Sequence, residues 1–377
     1  MKIAIAYDWL NQKSGGGEDT LFEILSIYPD ADLFCLIYNK AKFASKIGER
    51  QVVTSRLQHF PSFMKKRPYL LLPFIKKSVD KLNFEGYDLV ISVSSAWVKN
   101  IKTPEHTVHI CYCFSPARMI WDSWPQYLTT QKLGPFKVGP ISKFFITKSV
   151  SKIRLWDYYS TKGVDNFIAI SKYIQMRIKK YYHRDSDIVY PPVDLSWFKN
   201  TSITNKKDDY FIIVSVLSRY KNIELAIKVF NKNKRKLVIV GDGPDRSRLQ
   251  SLTSSDANIT FLGRVSNKNK AELLSKAKAF VFCSVEDFGI APIEALAAGT
   301  PVIGPDKGGL KETIAQNKTG ILYKELLTKD LESAIKRFDK ISFSKQDLIK
   351  ASKKYSNENF KRCFAKAITK LLEEKNE

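Results

Sequence analysis

One stretch in the last third of the chain concentrates residues able to do chemistry: Glu286-Asp287-Phe288-Gly289-Ile290-Ala291-Pro292-Ile293-Glu294. It follows an apolar run, Ala279-Phe280-Val281-Phe282-Cys283, that reads as a buried strand, and it opens a helix. Gly289 lets the backbone approach a ligand closely, and Pro292 fits a first helical turn, where its missing N–H costs nothing. The helix start then offers unpaired amides and the positive end of a dipole, which suits a diphosphate. Two glutamates beside a diphosphate would be repelled unless they had other work. Sugar hydroxyls supply it, because an ionised carboxylate accepts strong hydrogen bonds from them. Glu286 on the loop then holds a sugar, and Glu294, a turn or more into the helix, holds a ribose. A capping carboxylate followed by an ordinary helical glutamate is the plainer alternative for either residue taken alone.

Other groupings promise less. Gly241-x-Gly243 follows a strand but lacks the third glycine of a dinucleotide fingerprint, since Arg246 stands there. Asp185-x-Asp187 mimics a metal-binding pair but falls in a polar turn after a basic helix. Cys111-x-Cys113 puts two thiols on one strand face with no second pair to complete a zinc site. His106 and His109 have no carboxylate or further histidine nearby, and His109 reads as structural. No structural metal is expected.

The elements that must position the glutamates alternate between strand and helix. In the first half, strands are expected at residues 3–7, 88–93, 108–114 and 166–170, with helices at 19–27, 119–127 and 172–182. Tyr190-Pro191-Pro192-Val193-Asp194 and the polar run 200–209 break the pattern and read as a linker. The second half resumes with strands at 210–216, 236–240, 258–262, 279–283 and 300–303. Helices are expected at 221–231, 245–252, 268–277, 290–298 and 311–315, and everything from Leu326 onward reads as helical. Such alternation implies α/β architecture, two Rossmann-like doubly wound domains facing a cleft, with ligands at the carboxyl ends of the sheets. The expected divisions are 1–195, joined by a C-terminal helix at 355–377, and 205–350.

At 377 residues, with 44% hydrophobic and 12% aromatic residues, the chain can fill two cores. Its first apolar stretch is broken by Asp8 and lacks a cleavage site, so it reads as a strand and not a signal peptide. The densest later run, 69–75, contains Pro73 and falls far short of the ~20 residues a spanning helix needs. Five cysteines, an odd number within apolar runs, favour buried thiols in a reducing compartment. The net charge of +24 calls for an anionic partner, such as a membrane surface or a phosphate-rich substrate, or else marks a lysine-rich solvated face. Residues 40–81 carry eleven Lys or Arg against two acidic residues, and residues 123–156 carry six against none. Both runs interleave with aromatics (Phe60, Phe63, Tyr69, Phe74; Phe136, Phe144, Phe145), which describes an anionic membrane surface as partner. Pro61 to Leu82, with Lys65, Lys66, Arg67, Lys76, Lys77 and Lys81, is the expected docking segment. No nucleic-acid-binding module is recognisable, so nucleic acid is not an expected partner.

Together these residues carry a family resemblance. The Glu286–Glu294 segment resembles the E-x7-E motif of the retaining glycosyltransferases of family 4, which have the GT-B fold. Around it stand Val240-Gly241-Asp242-Gly243-Pro244, Phe261-Leu262-Gly263, Ala297-Ala298-Gly299-Thr300-Pro301-Val302 and Gly308-Gly309-x-x-Glu312. The first half adds Gly15-Gly16-Gly17-Glu18, Ser115-Pro116-x-Arg118-x-x-Trp121-Asp122, Leu155-Trp156-Asp157 and Pro191-Pro192-Val193-Asp194. These are similar to the branch that makes bacterial O-antigen and other surface polysaccharides, often from GDP-mannose. The resemblance covers roughly residues 3–323.

It implies site roles as follows. Gly16 and Gly17 give amides to the donor diphosphate, and Lys221, with Arg219, neutralises its charge. Glu286 contacts the donor sugar and Glu294 the ribose, while Phe288, Gly289 and Ile290 line the site through their backbone. Gly263, Arg264 and Val265 flank the nucleobase. Asp8, Arg118, Trp121 and Asp122 lie on the acceptor side. Two departures stand out. The arginine usual five residues before the cleft lysine is Val216 here, leaving Arg219 as a substitute. The histidine that often precedes the Ser/Thr-Pro element is Phe114. The implied activity is a metal-independent, retaining hexosyl transfer without a cofactor. Its donor is a nucleotide sugar, GDP-mannose or alternatively a UDP-sugar, and its acceptor a lipid-linked saccharide. The implied location is cytoplasmic, at the inner face of the membrane. A front-face route and a covalent carboxylate intermediate both remain open. A silent sugar-nucleotide-binding protein, or a phosphorylase or epimerase on the same scaffold, are the rival readings.

Overall fold

The first apolar run becomes strand β1, Ile3–Leu10, three residues longer than its sequence pattern suggests because Asp8 lies inside it. This computed structural model describes residues 1–11, 15–65, 68–122, 132–133, 136–137, 140–199 and 207–376. The chain divides into two compact units, Met1–Pro191 with Lys361–Glu377, and Pro192–Phe360. No helix among the described residues is long and apolar enough to cross a membrane.

Unit 1 is built on β1, β2 (Asp32–Tyr38), β3 (Val52–Thr54), β4 (Leu89–Ser94) and β5 (Val108–Cys113). A short antiparallel hairpin, β6 (Lys132–Leu133) and β7 (Phe136–Lys137), precedes β8 (Asn166–Ala169) and β9 (Asp187–Ile188). The main sheet is parallel throughout, in the order β3-β2-β1-β4-β5-β8-β9. Strand β2, which the sequence pattern does not single out, is apolar along almost its whole length and buried on both faces. Such a run lacks the alternation that marks a half-buried strand. The helix expected at 19–27 begins earlier, as Gly16–Ile27. That expected at 119–127 is Arg118–Trp121, and residues 123–127 lie outside the described residues. Helix Lys172–Tyr182 is capped by Ser171, whose Oγ accepts from the Ile174 amide. From Lys361 onward the C-terminal helix Asn357–Asn376 lies on unit 1, with Phe364 edge-on to Tyr112 and Lys361 paired to Glu23 at 3.0 Å.

Two buried carboxylates tie unit 1 together. Asp8 is fully buried and accepts from the amides of Ser95, Ala96, Trp97 and Val98 at 2.7–2.9 Å, holding the turn that leaves β4. Asp157, on helix Pro140–Ser160, pairs with Lys99 at 2.8 Å, both side chains 0% exposed. It also accepts from Asn100 Nδ2, Trp121 Nε1 and the Tyr182 hydroxyl at 2.7–2.8 Å. The paired carboxylate raises the Lys99 ammonium pKa despite burial, which alone would lower it.

Unit 2 holds β10 (Phe211–Val214), β11 (Leu237–Val240), β12 (Ile259–Gly263), β13 (Ala279–Val281), β14 (Val302–Pro305) and β15 (Gly320–Tyr323). They form a parallel sheet in the order β12-β11-β10-β13-β14-β15. Counted within the unit, this is the doubly wound order 3-2-1-4-5-6, whose strand succession reverses between β10 and β13. Its core gathers Phe211, Phe230, Leu237, Ile239, Val281, Ile303 and their neighbours. Burying each large apolar side chain contributes roughly 1.5–3 kcal/mol. The helix expected at 221–231 is interrupted. A 3₁₀ turn, Arg219–Lys221, ends at Asn222 in the left-handed region (φ 51°), and helix Ile223–Asn233 follows. Asparagine tolerates that conformation better than most residues. The linker expected at 200–209 lies mostly outside the described residues, which resume at Lys207.

His109 in β5 is fully buried. Its Nδ1 faces the Gly163 carbonyl at 3.3 Å, so Nδ1 carries the proton, and Nε2 accepts from the Ser92 hydroxyl at 2.9 Å. Burial pushes the imidazole pKa down to about 4. The folded state therefore prefers the neutral ring, and the unfolded chain takes the proton more readily below its ordinary value of about 6.5. This stabilisation is complete above about pH 6.5 and is lost as pH falls through 4. Urea midpoints between pH 7 and 4 should fall more steeply for the wild type than for His109→Gln, by the slope of about one proton. Asp157→Leu, which strands the Lys99 ammonium in the core, should cost about 3–5 kcal/mol of unfolding free energy, read by the same titration.

Candidate functional site

The strand order in unit 2 reverses between β10 and β13, the place at whose carboxyl ends doubly wound sheets take ligands, and the loops leaving those strands carry the charged groups. Lys221, at the end of the loop after β10, pairs with Glu286 on the loop after β13. Ser284 donates its hydroxyl to the same Glu286 oxygen at 2.9 Å. One turn into helix Ile290–Ala297, Glu294 pairs with Lys270 of helix Asn267–Lys276 at 2.6 Å. Each carboxylate of the pair thus carries its own lysine, and all four side chains are largely but not wholly buried.

Glycines hold these loops where they are. Gly289 caps the helix from the left-handed region (φ 95°), with Pro292 inside the first turn. Gly308 and Gly309, after β14, press on the Glu286 loop. A β-carbon at 308 would stand 2.4 Å from the Glu286 carbonyl oxygen, and one at 309 would stand 2.5 Å from Phe288 Cα. The Gly309 amide donates to the Glu286 carbonyl at 2.8 Å. Phe288 is buried edge-on to Tyr355, and Ile290 is half-buried. After β11, Gly241 and Gly243 let residues 241–245 lace against Ser215 and Leu217, with Leu217 N to Asp242 O at 3.1 Å and Asp245 N to Leu217 O at 3.0 Å. That lacing fixes the path into Lys221. Gly263 (φ 71°) accepts from the Gly241 amide at 2.7 Å, and beyond it Arg264 is exposed and Val265 half-buried.

Arg219 does not join the pair that Lys221 makes. It is 78% exposed and turned to Asp245, whose carboxylate lies 3.6 Å from its Nε and is gripped by Arg248 at 2.7 Å. Arg248 holds Asp245 below the usual carboxylate range. On a 3₁₀ turn two residues of spacing set side chains about 120° apart, so Arg219 and Lys221 reach different partners. Val216 itself is exposed.

In unit 1, Gly16 and Gly17 form the first turn of helix Gly16–Ile27, at the carboxyl end of β1, capped by Gly15 and Glu18. Glu18 accepts from the Gly15 amide at 2.9 Å, and burial raises its pKa. A side chain at 17 would press on the Tyr7 hydroxyl. Asp8, expected on the acceptor side, is wholly buried and anchors backbone amides of the turn after β4. Asp122 is bound by Arg177 and the Tyr181 hydroxyl. Trp121 stacks on Tyr181 at 4.9 Å and donates to Asp157. Arg177 also reaches Ser115 Oγ at 2.7 Å, so it clamps both ends of the Ser115–Asp122 segment, on which Arg118 is half-buried.

The expected docking segment is partly core. Leu71, Ile75, Val79 and Leu82 are buried, whereas Phe63 and Phe74 are 58% and 43% exposed and Lys77 and Lys81 are exposed. Leu71, inside that segment, is fully buried and unavailable to a surface. Lys66, Arg67 and the side chains of Tyr69, Phe136, Phe144 and Phe145 lie outside the described residues. Asp185 is paired with Lys179 at 2.7 Å, and Cys111 and Cys113 are buried free thiols. Among the described residues, no group of three or more His, Cys, Asp or Glu is placed to hold a metal ion. Lys270, Ser284 and Arg177 escaped the sequence reading. Their partners lie 2 to 62 residues away, and only the Ser284–Glu286 spacing is short enough to have hinted at contact.

Comparisons with known proteins place the chain among proteins of known fold. Residues 197–355 match the family model described as glycosyl transferases group 1. The alpha-1,3/1,6-mannosyltransferase ALG2 of Saccharomyces cerevisiae is 25% identical over 309 residues, 67% of this chain and 56% of that protein. The O-antigen chain mannosyltransferase RfbU of Salmonella typhimurium is 31% identical over 193 residues, 48% of this chain and 53% of that protein. The chain thus spans about half the length of these curated relatives. Among solved structures, Anabaena HepE in complex with UDP superposes with a TM-score of 0.69 at 16% identity, covering 98% of this chain and 100% of that one. The architecture is the GT-B fold of glycosyltransferases, and residues 197–355 match its group 1 glycosyltransferase model.

Proposed function

We propose that the protein is a retaining hexosyltransferase that passes mannose from GDP-mannose to a lipid-linked saccharide, without a metal ion. The observation that carries the donor assignment is the pair of carboxylates, Glu286 and Glu294, each held by a lysine at the strand-order reversal of the group 1 domain. The carboxylates match sugar and ribose hydroxyls, and the lysines with the amides at the start of helix Ile290–Ala297 match a diphosphate. As the anomeric C–O bond breaks, negative charge grows on the departing phosphate. Lys221 and those amides are the groups that would stabilise it. The mannose assignment rests on the similarity to ALG2 and RfbU, both named mannosyltransferases. A UDP-sugar donor is the second reading, favoured by the fold's likeness to HepE, solved with UDP.

The test is hydrolysis and transfer from a panel of radiolabelled nucleotide sugars in excess EDTA. GDP-mannose should be consumed, and Glu286→Gln or Glu294→Gln should lower turnover by a factor on the order of 10–1000 with an unchanged melting curve. Consumption of UDP-sugars alone would select the second reading. Near-normal turnover in both variants would remove the assigned roles.

An acceptor carried on lipid would place the reaction at the inner membrane surface. Phe63 and Phe74 with Lys65, Lys66, Arg67, Lys76 and Lys77 are the proposed contact, each basic residue contributing roughly 1 kcal/mol near anionic lipid. Co-sedimentation with phosphatidylglycerol vesicles should be strong at low salt, absent with zwitterionic lipid, and abolished when those five basic residues become glutamate. Persistent binding by that variant would move the contact elsewhere.

A further inference from the structure

We propose that Lys270 is a second phosphate ligand of the donor site, assigned to the α-phosphate as Lys221 is to the β-phosphate. This rests on the nucleotide-sugar reading above. A nucleoside diphosphate brings two phosphates, and beside Lys221 and the helix-start amides neither of two neighbouring positions supplies a further cation. Position 216 is Val, and Arg219 is turned to Asp245. The cation that the fold does supply is Lys270, from a helix that packs against the helix bearing Glu294.

Its position follows from connectivity in the ligand. Glu286 marks the sugar end, and the sugar is borne by the β-phosphate, so the lysine paired with Glu286 stands beside that group. Glu294 marks the ribose, which joins the α-phosphate through one methylene and an ester oxygen. Lys270 Nζ lies 2.6 Å from a Glu294 oxygen, and the two side chains are 19% and 14% exposed. An ammonium so placed, on a long flexible stem, can turn to the α-phosphate while keeping its carboxylate partner. In this partly dry site a charge-assisted contact counts for more than on an open surface.

Calorimetric titration of wild type, Lys270→Met, Lys270→Arg and Lys221→Met with GMP, GDP, UMP and UDP tests this. Lys270→Met should weaken both the mono- and the diphosphate of the preferred base by about tenfold. Lys270→Arg should restore most of that loss, and Lys221→Met should weaken the diphosphate alone. Should Lys270→Met fail to fold in a melting experiment, Lys270→Gln carries the same expectation. Unchanged affinities, or a loss confined to the diphosphate, would overturn the assignment to Lys270 while leaving the donor site standing. Failure of the wild type to bind any of the four would overturn the nucleotide-sugar reading itself.

Discussion

Strand order is the constraint on which the candidate donor site depends. In a parallel sheet laid down as 3-2-1-4-5-6, the loops leaving the first and fourth strands must turn to opposite sides, and the space between them cannot be filled by either crossover. Here those loops follow β10 and β13, and each ends in a short helical start. Lys221 and Glu286, 65 residues apart in sequence, meet across that gap. Neither residue could find the other if the β13 loop were free to swing. Gly308 and Gly309 remove that freedom by putting bare backbone against it, at distances where any β-carbon would collide.

Unit 1 uses charge differently. Its two buried carboxylates are spent on architecture: Asp8 on four consecutive amides, Asp157 on four side-chain donors. Leaving such carboxylates unpaired in a core would cost several kcal/mol, so their partners are as fixed as the strands. The Trp-Asp element at 156–157 and the Ser115–Asp122 segment, which stand out in the sequence as functional motifs, are joined through this network by Trp121 and Tyr182, while Arg177 clamps the segment itself. Their conspicuous residues position the short helix that begins at Arg118.

Much of this was legible in the residues alone, and the exceptions have a common cause. Apolar runs alternating with helical patterns located β1, β4, β5, β8 and β10 to β14 to within a few residues. The run from Ala279 followed by Gly289 and Pro292 located the turn that presents Glu286. Strand β2 was missed because burial on both faces erases alternation. The anchoring of Asp8 was not legible because its amide partners lie 87–90 residues away. Arg219 looked like a neighbour of Lys221, but side-chain direction on a 3₁₀ turn is not contained in spacing. Lys270 sat unnoticed in a polar helix start, since nothing local couples it to Glu294.

The Asp157 network also bears on how unit 1 breathes. Its four donors come from the turn after β4, from helix Arg118–Trp121 and from helix Lys172–Tyr182, while the acceptor sits on helix Pro140–Ser160. No one of these segments can detach without leaving a charge or a polar group stranded in the core. Partial opening is thereby penalised relative to opening everything together. The indole proton of Trp121 and the hydroxyl of Tyr182 belong to one cooperative block. Their exchange with solvent is tied to loss of the sheet, not to local fraying of the helices that carry them.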